Sequence, residues 1–440
     1  MTTSLEINNS RFLINGGKPL FGSVKVSGAK NSATKLVVAS LLTEQACEFT
    51  NSPNKINDLM ITGKLCEHLG SELKMENDRL FISTPEIVTT SIPENYGSLN
   101  RISILFAGPL LHRKGYAEIP IPGGCRIGSR PVNFHLDGLK ALGCHVEVKD
   151  NYYILKTDGL KGTNVNLDYP SVGATENILI AATMAQGRTT ICNAAVEPEI
   201  MDLVKFLQKM GAIIEISTDR KITIEGVNKL YGASHYIIPD RNQAASFAVA
   251  GLASKGDVYV ENAIQDDLIT FLNTVRKVGG KFEVKDRGIR FYYDGPFNSI
   301  ALETNVHPGF MTDWQQPFVI LLTQANGISI VHETVYEKRF GYVNELKKMG
   351  AEIELYNTCL GGMNCRFANQ DYFHSAVVKG PTELHAAEIS VPDLRAGISY
   401  LIAGVIAKGE TVVNGAMYID RGYEDIDSKL RDLGAVIVRL

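Results

Sequence analysis

Apolar and polar positions along this chain follow a pattern that recurs. An amphipathic helical stretch ends in an apolar residue and a glycine, then passes into an alternating, β-rich run. The phrase occurs six times, as KLCEHLGSEL, GLKALGCHVEV, FLQKMGAIIEI, TVRKVGGKFEV, ELKKMGAEIEL and KLRDLGAVIVRL, with Gly70, Gly143, Gly211, Gly279, Gly350 and Gly434 at the junctions. Successive junction glycines are 73, 68, 68, 71 and 84 residues apart. A helix stopping at glycine predicts a left-handed cap, and the alternation after it predicts a half-buried strand. A second phrase interleaves with the first: an Ala/Gly-rich apolar helix, a turn and a β-branched strand, as in NILIAATMAQGRTTICNAA and SFAVAGLASKGDVYVENA. Small residues let such helices pack closely, so these are predicted to be buried while the junction helices lie nearer the surface.

Six repeats of about 70 residues, each mixing helices and strands, therefore fill the chain from residue 22 to 440. One repeat cannot cover its own apolar faces, whereas three can close around shared helices, which predicts an α/β protein of two domains with three repeats each. The boundary is expected in GVNKLYGASHYIIPD, residues 226–240. This gives one domain over 22–233 and another made of 1–21 plus 234–440. The leading RFLINGGKPLFG reads as strand, Gly-Gly turn, strand, placed to return and pair near the chain's end.

A length of 440 residues with 45% hydrophobic and 21% charged side chains suits a large buried core. The net charge of -4 argues against a protein that wraps nucleic acid, so any anionic ligand must be held by a local cluster of cations. The chain has no apolar run long enough for a membrane span and no secretory pattern at its start, which predicts a cytoplasmic protein. The seven cysteines, Cys47, Cys66, Cys125, Cys144, Cys192, Cys359 and Cys365, show no CxxC spacing. Cys359 and Cys365 stand six apart without His partners close by, so reduced thiols and no bound metal are expected.

The starts of the buried helices carry the candidate chemistry. They read SGAKNSATK, GSLNRIS, SVGATEN, DRNQAAS, TDWQQ and DLRAG, and bring Lys30, Arg101, Arg241 and Arg395 to equivalent positions. Unpaired N–H groups and about half a unit of positive charge at each start would add to those cations and favour an anion. Asp393 reads as a helix cap. Asp313 is either a cap or a base, with Thr312 available to cap in its place. The stretch IPIPGGCRIGSRPVNFHL, 119–136, is a loop by its Gly and Pro content, and it surrounds Cys125 with Arg126 and Arg130. Neighbouring guanidinium groups stabilise thiolate and lower a thiol pKa from roughly 8.5, so Cys125 is either an acid or nucleophile on a closing loop or an incidental thiol on a mobile turn. GGCRIG and SGAKNSAT fit neither a dinucleotide fingerprint nor a P-loop.

Taken together, SGAKNSA, PGGCRIGSRPV, SVGATEN, NAAVEPEI, PGFMTDWQ, DLRAG and IDRGYE resemble, in order along nearly the whole chain, the UDP-N-acetylglucosamine 1-carboxyvinyltransferases of the enolpyruvyl transferase family. The resemblance implies two domains of three βαβαββ repeats, an inside-out α/β barrel arrangement, with an inter-domain active site. It also implies transfer of the enolpyruvyl group of phosphoenolpyruvate to the 3'-hydroxyl of UDP-N-acetylglucosamine with release of phosphate, a step of peptidoglycan and cell wall synthesis. It implies no cofactor and no metal. By the same resemblance Cys125 is the proton donor, Asp313 the base, and Lys30 with Asn31 the phosphoenolpyruvate pair. Arg130, Arg395 and Arg421 would clamp anionic groups, while Arg101, Pro131, Val132, Asn133, Phe134, Ser171, Val172, Gly173, Val335 and Arg339 would hold substrate. The chain departs from the family pattern at Asn133, Met311, Trp314 and Lys338. The departures keep two alternatives open: a related transferase with another UDP-sugar or nucleotide acceptor, and a non-catalytic UDP-sugar-binding paralogue.

Overall fold

In the computed structural model, which describes residues 10–97, 101–122, 132–363 and 365–440, all six junction glycines have positive φ, between 89° and 110°. Each follows a helix and precedes a strand, as the recurring phrase requires. An L side chain resists this region because its Cβ meets the backbone, and glycine does not.

The repeats build small sheets of one plan. In the third repeat the order is Ile213–Ser217, Lys221–Glu225, Arg188–Cys192, Asn164–Asn166. The leading strand runs parallel to the one after the buried helix, and an antiparallel hairpin completes the sheet. Three sheets borrow a strand from elsewhere in the chain. In the first repeat the leading place is taken by Ser234–Tyr236, parallel to Cys47–Thr50. In the fourth it is taken by Phe21–Lys25, parallel to Asp257–Glu261. In the sixth, Arg11–Asn15 sits between Glu410–Asn414 and Val436–Arg439, antiparallel to both.

The chain accordingly divides into two compact units, one of residues 28–238 and one of 10–27 with 239–440 among the described residues. The crossings fall at 27/28 and 238/239 rather than at 21/22 and 233/234, because Phe21–Lys25 and Ser234–Tyr236 go to the sheets that lack a leading strand. The two N-terminal strands belong to different sheets and do not form the hairpin that their Gly-Gly spacing suggested.

Each unit has its own apolar core. In the unit containing the chain's end, the helices Arg241–Ala253, Thr312–Leu322 and Leu394–Ile406 pack against one another, and every residue of the first is buried. In the other, Ala107–Lys114 packs on Val172–Ala182, and a Cβ at Gly108 would stand 3.2 Å from the Ala181 backbone. The second repeat departs from its expected helix start. A 3-10 turn, Ile102–Phe106, precedes the α-helix, and Pro109, having no N–H, cannot donate to the Leu105 carbonyl as an α-helix through that point would need. No helix of the described residues is long and apolar enough to cross a membrane.

Candidate active site

The helix Thr312–Leu322 starts without a side-chain cap, since Met311 occupies the N-cap position. Thr312 does not cap it either, because its hydroxyl donates to Glu333 Oε2 at 2.9 Å. Asp313 instead pairs with two arginines. Arg395 Nε donates to Oδ2 at 2.9 Å, and Arg339 Nη2 donates to Oδ1. Both arginines are buried while the Asp313 side chain keeps 16% exposure. Asp393 caps the helix Leu394–Ile406 through the Arg395 and Ala396 N–H groups at 2.9 and 3.2 Å, which fixes where the Arg395 side chain starts. Arg395 Nη1 also donates to the Tyr423 hydroxyl at 3.3 Å, and that hydroxyl lies 2.9 Å from Ser246 Oγ.

Burial works against the charge on Arg339 and Arg395, yet Asp313 beside them holds both guanidinium pKa values above their ordinary range. Burial likewise pushes the Glu333 carboxyl up, with Arg339 opposing it. Glu333 accepts from the N–H groups of Val335 and Tyr336 at 2.8 and 3.1 Å, so it shapes the turn that carries Val335. The result is a partly exposed carboxylate paired with two fixed cations, and cations so placed favour the charged form of a carboxyl group.

In the 28–238 unit, Lys30 opens the helix Lys30–Ala39, and its Nζ lies 2.6 Å from Asp58 Oδ2, with half-buried Asn31 next to it. Ser171 caps the helix Val172–Ala182 by accepting from Ala174 N at 3.4 Å. A Cβ at Gly173 would meet the His135 ring at 3.0 Å. Burial, and then the charge of Arg101, push the His135 pKa down to about 3, so Arg101, His135 and Gly173 form one neighbourhood around a neutral imidazole. Val132 is the N-cap of the helix Asn133–Ala141, whose first three residues are Asn133, Phe134 and His135.

Of the residues singled out from sequence, Cys125, Arg126, Arg130 and Pro131 lie outside the described residues. Arg421 is half-buried just beyond the short helix Ala416–Ile419. Arg241 is buried, its guanidinium 5.5 Å from the Trp314 ring centroid and 3.4 Å from His307 Nδ1. Sequence reasoning missed Asp58, His135, Glu333 and Tyr423. A Glu after a β-branched run and a Tyr in a turn have no periodic signature, and their partners are remote in the chain. The expectation that Cys359 and Cys365 lack His partners is corrected: His332 and His374 approach both of them, because strand pairing brings together what the sequence separates.

Residues 14–430 match the family described as EPSP synthase (3-phosphoshikimate 1-carboxyvinyltransferase), and the chain belongs to this enolpyruvyl transferase family. Within it, the chain is 51% identical over 431 residues to the UDP-N-acetylglucosamine 1-carboxyvinyltransferase of Protochlamydia amoebophila, covering 96% of this chain and 92% of that one. It is 47% identical to the protein of that name in Chlamydia muridarum, covering 96% of this chain and 97% of the relative. It is 38% identical to UDP-N-acetylglucosamine 1-carboxyvinyltransferase 1 of Staphylococcus aureus, over 98% and 99%. Among solved structures, the enolpyruvyl transferase NikO from Streptomyces tendae superposes with a TM-score of 0.86 at 21% identity, over 98% of this chain and 99% of that one. EPSP synthase from Acinetobacter baumannii superposes with a TM-score of 0.74 at 18% identity, over 98% and 100%. These neighbours share the two-domain mixed α/β fold.

Proposed function

We propose that this chain transfers the enolpyruvyl group of phosphoenolpyruvate to the 3'-hydroxyl of UDP-N-acetylglucosamine and releases phosphate, the first committed step of peptidoglycan precursor synthesis. The observation that carries this reading is the 51% identity to a protein of that name across 96% of the chain. The reading puts the reaction in the cytoplasm.

The roles follow from what the reaction needs. The sugar hydroxyl must lose a proton as its oxygen bonds to C2 of the enol, and C3 must gain one. The tetrahedral adduct then expels phosphate while C3 gives a proton back, which restores the double bond. Asp313 accepts the hydroxyl proton. Its pairing with Arg339 and Arg395 supports this role, since cations beside a carboxyl group favour its charged, proton-accepting form. Cys125 supplies the C3 proton, a role that rests on the resemblance of its loop. Lys30, Arg130, Arg395 and Arg421 balance the phosphate and carboxylate charges, which are best stabilised by groups already fixed in place. Asn31 adds to the phosphoenolpyruvate contact. Arg101, Pro131, Val132, Asn133, Phe134, Ser171 to Gly173, Val335 and Arg339 hold the UDP-sugar.

Incubating the purified protein with phosphoenolpyruvate and following phosphate tests the proposal. Release is expected only when UDP-N-acetylglucosamine is present, with one enolpyruvyl ether formed per phosphate. Release with a different acceptor but not with this one, or release with none, would overturn it.

A further inference from the structure

Four repeats close their final hairpin tightly, with two or three residues between Glu72–Glu76 and Arg79–Ser83, His145–Lys149 and Tyr152–Lys156, Ile213–Ser217 and Lys221–Glu225, and Lys281–Lys285 and Gly288–Tyr292. The fifth does not. Between Glu352–Tyr356 and Ser375–Gly380 the chain makes an 18-residue excursion, 357–374, with no helix or strand among its described residues. A connection of that length without helix or strand is uncommon in a compact domain and calls for a staple, to which the buried Phe367 side chain also contributes.

The staple is visible in the side chains. His332, Cys359, Cys365 and His374 place one ligand atom each within 4.8 Å of all the others. Cys359 Sγ lies 3.4 Å from His374 Nε2. Both imidazoles are oriented from behind. His374 Nδ1 lies 2.7 Å from the Tyr372 carbonyl, which can only accept, so Nδ1 bears the proton and Nε2 offers a lone pair. His332 Nδ1 lies 2.9 Å from Glu303 Oε2, so in the neutral ring Nδ1 is the donor and Nε2 the atom with the lone pair. That Nε2 atom is buried without a hydrogen-bond partner, on a side chain that is 0% exposed. Such an atom is costly unless something fills the space in front of it. Glu303 in turn accepts from the N–H groups of Gly362 and Met363 at 3.1 and 2.9 Å, which ties the excursion to the group that aims His332.

We propose that these four residues form a structural zinc site of the two-thiolate, two-imidazole type. Zinc bonds sulfur at about 2.3 Å and nitrogen at about 2.0–2.1 Å, so ligand atoms in a tetrahedron stand roughly 3.3–3.8 Å apart. The 3.4 Å pair already has that spacing, and the remaining pairs, all within 4.8 Å, need to close by about 1.5 Å at most. Two thiolates neutralise a divalent ion, and binding releases the two thiol protons to solvent. Mixed sulfur and nitrogen donors in this geometry select zinc over magnesium or calcium. With four protein ligands the site is closed and has no open position for catalysis. Its effect reaches the neighbouring segment: His332 ends the strand Ala325–His332, and the next residue, Glu333, donates its N–H to the His374 carbonyl at 2.7 Å and through its carboxylate holds Thr312 and Val335.

The test uses the full-length protein, purified reduced and without chelators. Elemental analysis is expected to find about one zinc ion per chain, with a closed four-ligand site. Replacing zinc by cobalt(II) is expected to give thiolate-to-metal charge transfer and tetrahedral d–d absorption. Cys359→Ser and Cys365→Ser, chosen because these side chains are not deeply buried, should each weaken cobalt binding at least tenfold while the protein stays folded by circular dichroism. Chelation should lower the thermal midpoint, and added zinc should restore it. Absence of zinc together with no cobalt uptake, a Cys359–Cys365 disulfide in the protein as purified, or unchanged metal affinity in both serine variants would overturn the proposal.

Discussion

Asp313 is held by two arginines that water barely reaches, so its replacement separates chemistry from charge pairing. Asp313→Asn keeps shape and removes the proton acceptor, and the expected outcome is a kcat about 10²–10⁴-fold lower with both substrates still bound. Calorimetric binding beside a phosphate-release assay checks this; unaltered turnover would leave Asp313 as a charge partner only. A second residue, Glu176, is buried in the 28–238 unit with Lys35 Nζ 3.7 Å away. Burial first, opposed by Lys35 and reinforced by Glu199 and Glu197, pushes its pKa up to about 7. The folded chain thus keeps a proton that the unfolded chain releases near about pH 4.3, so the contribution is full below that pH and lost as pH rises through 7. Glu176→Gln should therefore be neutral or worse at pH 5 and gain on the order of 2 kcal/mol relative to the parent at pH 8, in urea unfolding at the two pH values. Parallel profiles would sink that assignment. Residue type at a helix start made Asp313, Asp393 and Arg395 legible in the sequence. Glu333 and Tyr423 were not, since Tyr423 matters through Ser246, 177 residues away.

At the scale of elements, the junction glycines were readable because helix termination and left-handed geometry are local. They are not energetically equal, however. A Cβ at Gly143 would meet nothing within 4 Å, whereas one at Gly70 would come within 2.4 Å of the Glu86 carbonyl oxygen. Both lie in the same unit and have φ near +90° and +110°. Gly143→Ala should cost about 1–2 kcal/mol from backbone conformation alone. Gly70→Ala should cost at least about 1 kcal/mol more, because backbone at that distance must move and overpacking carries a penalty of that order. Urea midpoints for the two variants test the ordering, and equal losses would mean that the Glu86 segment yields freely. The last junction spacing of 84 residues already recorded an insertion in the sequence. Its metal ligands stayed hidden because His332 is 27 residues before Cys359, far outside any short spacing rule.

At the scale of the whole molecule, pairing among strands remote in sequence decides where the chain divides, which is why composition and turn signals placed the crossings a few residues early. The same pairing makes the two units unequal as folding entities. Residues 28–238 are continuous and contain their own leading strand, Ser234–Tyr236, and where the chain is cut its ends already meet, with Ala29 N donating to the Ile238 carbonyl at 2.7 Å. Residues 239–440 lack two strands of their sheets and the buried side chains of Phe12, Ile14, Leu20 and Val24. Loss of one such side chain costs about 2–5 kcal/mol, comparable to much of a domain's net stability of about 5–15 kcal/mol. The 28–238 fragment is therefore expected to unfold cooperatively in urea, and 239–440 to show no cooperative transition. Joining residues 10–27 to 239–440 through a short Gly/Ser linker should restore it, because Asp240 N already donates to the Ser27 carbonyl at 2.9 Å. A 239–440 fragment that folds without those residues would mean that the N-terminal strands decorate the unit instead of completing it.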